Sequence, residues 1–228
     1  MTTRPGRWPV VILSLLLAAC ASTPSPSVDL AACPTGAPTA GEAATILADA
    51  SRATVKTNLG SFTIELDASS APIATANFVA LARCGFYAGI SFHRVLAEFV
   101  IQAGDPQTRS NRAPFAELGQ GGPGYSFEVE FPSDSQSYDR YTVAMANAMQ
   151  YDQVTGEITG GTDTNGSQFF IDLESLAGQL RPYYSVIGKV VEGTGVIDAI
   201  GAVAVNNTQQ GVPVEPVIIE SVTIEAGA

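Results

Sequence analysis

The run FHRVLAEFVIQAGD, residues 92–105, sets one arginine, Arg94, among apolar and aromatic side chains and places an amide, Gln102, further along. Side chains alternate across an extended strand, so Arg94 falls on the face opposite His93 and Val95. Residues 96–98 are expected to turn the chain, and 99–102 to return as a second extended run. Such a hairpin presents a cation, an aromatic ring (Phe99) and an amide on one surface.

Working outward, the chain alternates apolar and polar residues over 54–58 and 61–66, either side of Leu59-Gly60, which is a hairpin pattern. Ser69-Ser70-Ala71-Pro72 opens a helix, with proline in the first turn where its missing N–H costs nothing. Ala74, Phe78 and Leu81 form the buried stripe of that helix, and Gly85 stops it. The glycines of 119–124 invite a phosphate-loop reading. No Lys-Ser/Thr follows and no helix opens, so they are read as a turn cluster. Further strands are expected at 125–131, 142–146, 169–173, 185–191 and 217–224. Val196, Ile197 and Ile200 mark a second short helix. The pattern is mainly β, many short strands with two helices, and suggests a closed barrel with helical caps.

Composition narrows the chemistry. With 228 residues, 46% hydrophobic and 14% charged, the chain can bury one substantial core. Its net charge is −11, and losing residues 1–19 would remove Arg4 and Arg7 and no acid. So acidic a surface repels phosphate backbones, which argues against a nucleic-acid partner. Three cysteines, no CxxC and a single histidine leave no metal-ligand spacing. A Ser-His-Asp hydrolase would have to use His93 as its only base, and Ser167 lacks the G-x-S-x-G elbow.

FHR, then Phe99, then the Q-x-G-D of 102–105 resembles the signature of the cyclophilins, the cyclosporin-binding peptidyl-prolyl cis-trans isomerases. TNGSQFFI, residues 164–171, resembles a second block of that family. The resemblance covers about 54–224 and implies a closed eight-stranded antiparallel barrel capped by two helices, acting on proline-containing polypeptides without cofactor or metal. It implies that Arg94, Phe99 and Gln102 carry catalysis: Arg94 as hydrogen-bond donor to the twisted amide, Phe99 as part of an apolar proline socket, Gln102 holding Arg94. Val100, Phe170 and Leu180 would complete the socket. Ala146 and Asn147 match the edge that binds substrate backbone, and Gln168 shares the groove face with Phe170, while Phe169 turns into the core. His93 has two readings, a structural hydrogen-bonding residue or a residue at the groove's edge.

The chain departs from the family in three places. Between Asn147 and Thr164 it carries about a dozen extra residues, 149–163, in which QVTGEIT could form a small hairpin; the segment either borders the site or decorates the surface. Gln179 stands where eukaryotic members have tryptophan, and Tyr184 where they have histidine, so cyclosporin is expected to bind weakly. A proline-peptide binding module or holdase on the same barrel is the alternative to an isomerase.

At the N-terminus, two arginines and an apolar run over 10–19 read as a signal peptide, too short to span a bilayer. Leu17-Ala18-Ala19-Cys20 resembles a bacterial lipobox, which implies lipidation of Cys20 and anchoring outside the cytoplasm; a cleaved secretory signal with a chance cysteine is the other reading. The expected organisation is 1–19 signal peptide, 20–53 tether rich in Ala, Pro and Ser, and 54–228 isomerase domain. With Cys20 lipidated, Cys33 and Cys84 remain as an even pair, either a disulfide or two free thiols.

Overall fold

The computed structural model describes residues 1–2, 30–111, 118–132, 137–206 and 209–226. The segment expected as a signal peptide, apart from its first two residues, and Cys20 thus lie outside the described residues. In chain order the elements are α1 (Ala40–Leu47), β1 (Arg52–Thr57), β2 (Gly60–Leu66), α2 (Pro72–Arg83), β3 (Ser91–Phe92), β4 (Arg94–Leu96) and β5 (Val100–Ala103). They continue with β6 (Thr142–Met145), β7 (Gln150–Tyr151), β8 (Ile158–Gly160), β9 (Phe169–Asp172), β10 (Val186–Glu192), α3 (Thr194–Gly201) and β11 (Val217–Glu225).

Nine strands form one antiparallel sheet in the order β3-β11-β1-β2-β10-β6-β9-β5-β4, and β7 pairs only with β8. The expected count of eight is corrected to nine, and the reason is local. β3 and β4 are one extended run interrupted at His93, whose N–H donates to Gln102 O at 3.1 Å. Before the break the run pairs with β11, and after it with β5. The two ends of the sheet are therefore consecutive in the chain, and the barrel is nearly closed. The residues expected as a strand at 125–131 make only an isolated bridge, Phe127 to Asn165.

Among the described residues three α-helices stand where two were expected. The additional one, α1, falls within the segment read as tether, and its start is defined by a reciprocal capping box. Thr39 Oγ1 accepts from Glu42 N at 3.4 Å, and Glu42 Oε2 accepts from Thr39 N at 2.8 Å. Arg83 at the end of α2 reaches back to Ile46 O (2.9 Å) and to Asp49 (2.6 Å). Cys33 and Cys84 are joined, their Cα atoms 5.2 Å apart, so the stretch before α1 is fastened to the C-cap of α2. Helix α2 has no local side-chain cap. Glu130 supplies one from a distant loop, accepting from Ile73 N (3.0 Å) and Ala74 N (2.7 Å), an anion at the positive end of a helix.

Inside the barrel, Phe169 is fully buried and packs edge-on against Phe78 (5.6 Å), Tyr87 (5.7 Å) and Phe92 (6.4 Å). Burying such a ring contributes about 1.5–3 kcal/mol. Ile101, Ile171 and Val143 point inward beside it. The alternate residues of the same strands point outward and build the site.

Candidate active site

Cross-strand register sets the outward face. Arg94 lies opposite Gln102, Gln102 opposite Phe170, and Phe170 opposite Ala144, so these side chains form one row across four strands. The β4–β5 turn closes with Phe99 N donating to Leu96 O at 3.0 Å, and Glu98 takes a left-handed φ of 61°. That turn brings Phe99 to the mouth of the row. Gly104 follows Gln102 at a φ of 99°, and a Cβ there would lie 2.3 Å from Ser167 O. Only glycine allows β5 to run this close to the 164–168 segment.

A pocket of about 100 Å³ opens on this face. Arg94, Phe99, Val100, Gln102 and Phe170 line it from β4, β5, β9 and the β4–β5 turn, and Ala146, Asn147, Leu180 and Tyr184 from the segments that follow β6 and β9. Tyr184 stands edge-on to Phe170 at 5.1 Å and to Tyr138 at 6.3 Å. The Tyr138 hydroxyl bonds both backbone groups of Tyr184, donating to its O (3.0 Å) and accepting from its N (3.1 Å). Sequence reasoning did not single out Tyr138, because nothing local signals a partner 46 residues away.

Arg94 is half-buried, and burial pushes its pKa down, opposed by the nearby Tyr184 hydroxyl. Among the described residues no carboxylate lies within ion-pair distance of it. Its Nη1 donates to Gln102 Oε1 (3.3 Å), Gln102 Nε2 donates to Gln168 Oε1 (2.9 Å), and Gln168 Nε2 donates to Gly119 O (3.0 Å) and Gly121 O (2.7 Å). The chain of amides runs in one direction, each oxygen accepting and each nitrogen passing the bond on. It ends on the glycine turn cluster, which Asp105 secures by accepting from Gly119 N at 2.6 Å. Gln168 and Gln102 also border a neighbouring groove of about 520 Å³, between the glycine loop and residues 146–148.

Three expected site residues do not line this pocket: Gln168 borders the neighbouring groove instead, and His93 and Gln179 lie elsewhere. His93 is buried on the opposite side of its strand, in a recess with Thr108, Leu118 and Pro216. Burial lowers its pKa to about 4, with Asp105 opposing and Arg94 assisting, and neither ring nitrogen has a hydrogen-bond partner among the described residues. Gln179 is exposed, because the turn in which Leu176 O accepts from both Gln179 N and Leu180 N directs Leu180 inward instead.

Residues 52–224 match the family model described as cyclophilin type peptidyl-prolyl cis-trans isomerase/CLD. The chain belongs to that family. A peptidyl-prolyl cis-trans isomerase of Helicobacter pylori is 37% identical over 180 residues, 77% of this chain and 90% of the relative. Peptidyl-prolyl cis-trans isomerase A of Mycobacterium tuberculosis is 36% identical over 189 residues, 75% of this chain and 91% of the relative. Among solved structures, a cyclophilin type isomerase from Cryptosporidium parvum superposes with a TM-score of 0.64 at 29% identity, covering 78% of this chain and 99% of its own. The same protein in the presence of the dipeptide Ala-Pro gives 0.63 at 30% identity, with coverage of 77% and 99%. This cyclophilin is a peptidyl-prolyl cis-trans isomerase.

Proposed function

We propose that Arg94 performs the isomerisation by stabilising the twisted Xaa-Pro amide above the Phe99–Phe170 pocket. Amide resonance sets a barrier of about 18–20 kcal/mol to rotation about the C–N bond. As the bond twists, the prolyl nitrogen recovers its lone pair and becomes a hydrogen-bond acceptor. A guanidinium N–H aimed at that nitrogen gains more in the twisted state than in the flat one, which is the condition for acceleration. The observation that carries this reading is the state of Arg94: half-buried, with no carboxylate partner among the described residues, and steadied by the neutral amide of Gln102. A salt-bridged arginine would have its donors occupied. The apolar walls hold the prolyl ring while the preceding residue swings.

Arg94→Ala should lower kcat/KM by about 10²–10³-fold, the usual loss for one electrostatic donor, with folding intact. A protease-coupled assay on a Xaa-Pro peptide measures it, and activity within twofold of wild type would reject the assignment. The lipobox-like Leu17-Ala18-Ala19-Cys20 supports a lipid-anchored enzyme outside the cytoplasm, with residues 1–19 removed and proline-containing segments of extracytoplasmic proteins as its substrates.

A further inference from the structure

Residues 149–163 fold as the β7–β8 hairpin beside the pocket, and the two are tied at both ends. At the base, Asn147 Oδ1 accepts from Met149 N (3.1 Å), while Asn147 Nδ2 donates to Tyr183 O (2.8 Å). Thr164 Oγ1 fastens the other leg, donating to Gly161 O (2.6 Å) and accepting from Ala148 N (2.9 Å). At the far turn, the Tyr183 hydroxyl donates to Gly156 O (2.5 Å) and Arg181 Nη2 donates to Gln153 O (3.4 Å). The Arg181 guanidinium lies 5.5 Å over the Tyr151 ring, which stands edge-on to Tyr183 at 5.1 Å. The approach is close: a Cβ on Gly156, whose φ is 75°, would lie 2.2 Å from Arg181 Nη1.

The partners on the pocket side matter because Leu180 and Tyr184, two of its walls, flank Arg181 and Tyr183 in sequence. Between the end of β9 and the start of β10 the chain has no helix or strand to fix those walls. We propose that the β7–β8 hairpin is a positioning element of the isomerase pocket, with Tyr183 the residue through which it sets Leu180 and Tyr184 before substrate arrives. This rests on the reading that the pocket receives the prolyl ring.

A wall fixed in advance spares the cost of ordering side chains on binding, and it grips flat and twisted substrate alike. Its loss therefore appears in affinity and not in the rate of the bound step. The test titrates an Ala-Pro-containing peptide by NMR, recording affinity and on-enzyme exchange rate separately. Replacing residues 150–162 by two glycines should weaken affinity about tenfold, as two side chains become disordered in the free enzyme. The exchange rate should stay within twofold. Tyr183→Phe, which keeps the ring and removes the bond to Gly156 O, should weaken affinity about two- to fivefold. Val154→Ser, at the exposed tip, should change neither. Affinity within twofold of wild type in the shortened protein, or a fallen exchange rate at unchanged affinity, overturns the proposal. If the shortened protein does not fold, Tyr183→Phe and Gly156→Ala decide on the same criterion. Arg94→Ala separates the two readings: without a rate loss there, the prolyl-pocket reading fails, whatever the hairpin does.

Discussion

Asp172 allows a sharp test of the electrostatics behind the pocket. It ends β9 on the outward face, opposite Val100, and is fully buried; neither carboxylate oxygen has a hydrogen-bond partner among the described residues. Burial, with a smaller push from Asp139, raises its pKa from 3.8 to about 8. Folded protein therefore holds this proton at neutral pH and unfolded protein does not, so the contribution of Asp172 is full below pH 4 and falls as pH rises towards 8. His93 works the other way: its folded pKa of about 4, below the ordinary 6.5, makes stability rise with pH between those values. From pH 4 to 6.5 the two oppose each other, and above 6.5 Asp172 acts alone. Each pH unit is then worth about 1.4 kcal/mol, or roughly 2 kcal/mol between pH 6.5 and 8. Asp172→Asn removes the dependence, because an amide mimics the protonated acid at every pH. The stability of the variant relative to wild type should rise by roughly 4 kcal/mol between pH 4 and pH 7, three pH units at that slope. Urea unfolding of both proteins at intervals from pH 4 to 8 measures the difference, from which all other titrations cancel. A difference that stays flat across this range would refute the argument.

Cys33→Ser should lower stability by about 2–4 kcal/mol, the usual loss when a long loop is released, and peptide mass spectrometry of the non-reduced protein should find Cys33 linked to Cys84. Alkylation of both thiols without reduction would contradict this. Fatty-acid labelling of the protein in a bacterial host should occur and be abolished by Cys20→Ala; persistent labelling would place the anchor elsewhere. Cyclosporin should bind weakly, since Gln179 is exposed outside the pocket and offers no flat apolar surface, and Gln179→Trp should gain less than about twofold by calorimetry. A gain of about tenfold would show that a ring at this position does reach the ligand and would contradict the reading of the turn at 176–180.

Much of the site was legible because strand alternation is a rigid rule. Arg94, Gln102 and Phe170 share one face and Phe169 takes the other, as period-two counting requires. Gln179 shows where counting stops: matching positions along the chain located it, but the direction of a side chain in a turn depends on the bonds to Leu176 O. The capping box at Thr39 and Glu42 is readable in the sequence, although the Ala/Pro/Ser composition around it reads as tether. The Glu130 cap on α2 was not readable at all, because 56 residues separate donor and acceptor. Likewise FFID reads as one more apolar strand, and only the packed structure reveals that its aspartate is buried without a hydrogen-bond partner among the described residues.

The interruption at His93 has a consequence for how such an enzyme survives its surroundings. A catalyst that turns prolyl bonds meets polypeptides in extended form, and extended polypeptides add readily to any unpaired strand they find. Here the outermost strands of the main sheet are β3, two residues long, and β4, three residues long, and each runs directly into the other. Neither offers a template on which a passing chain could zip up. If the pocket of about 100 Å³ receives the prolyl ring as proposed, visitors are held there by one ring, from which they can depart, and the barrel is protected from becoming the seed of an aggregate of the chains it works on.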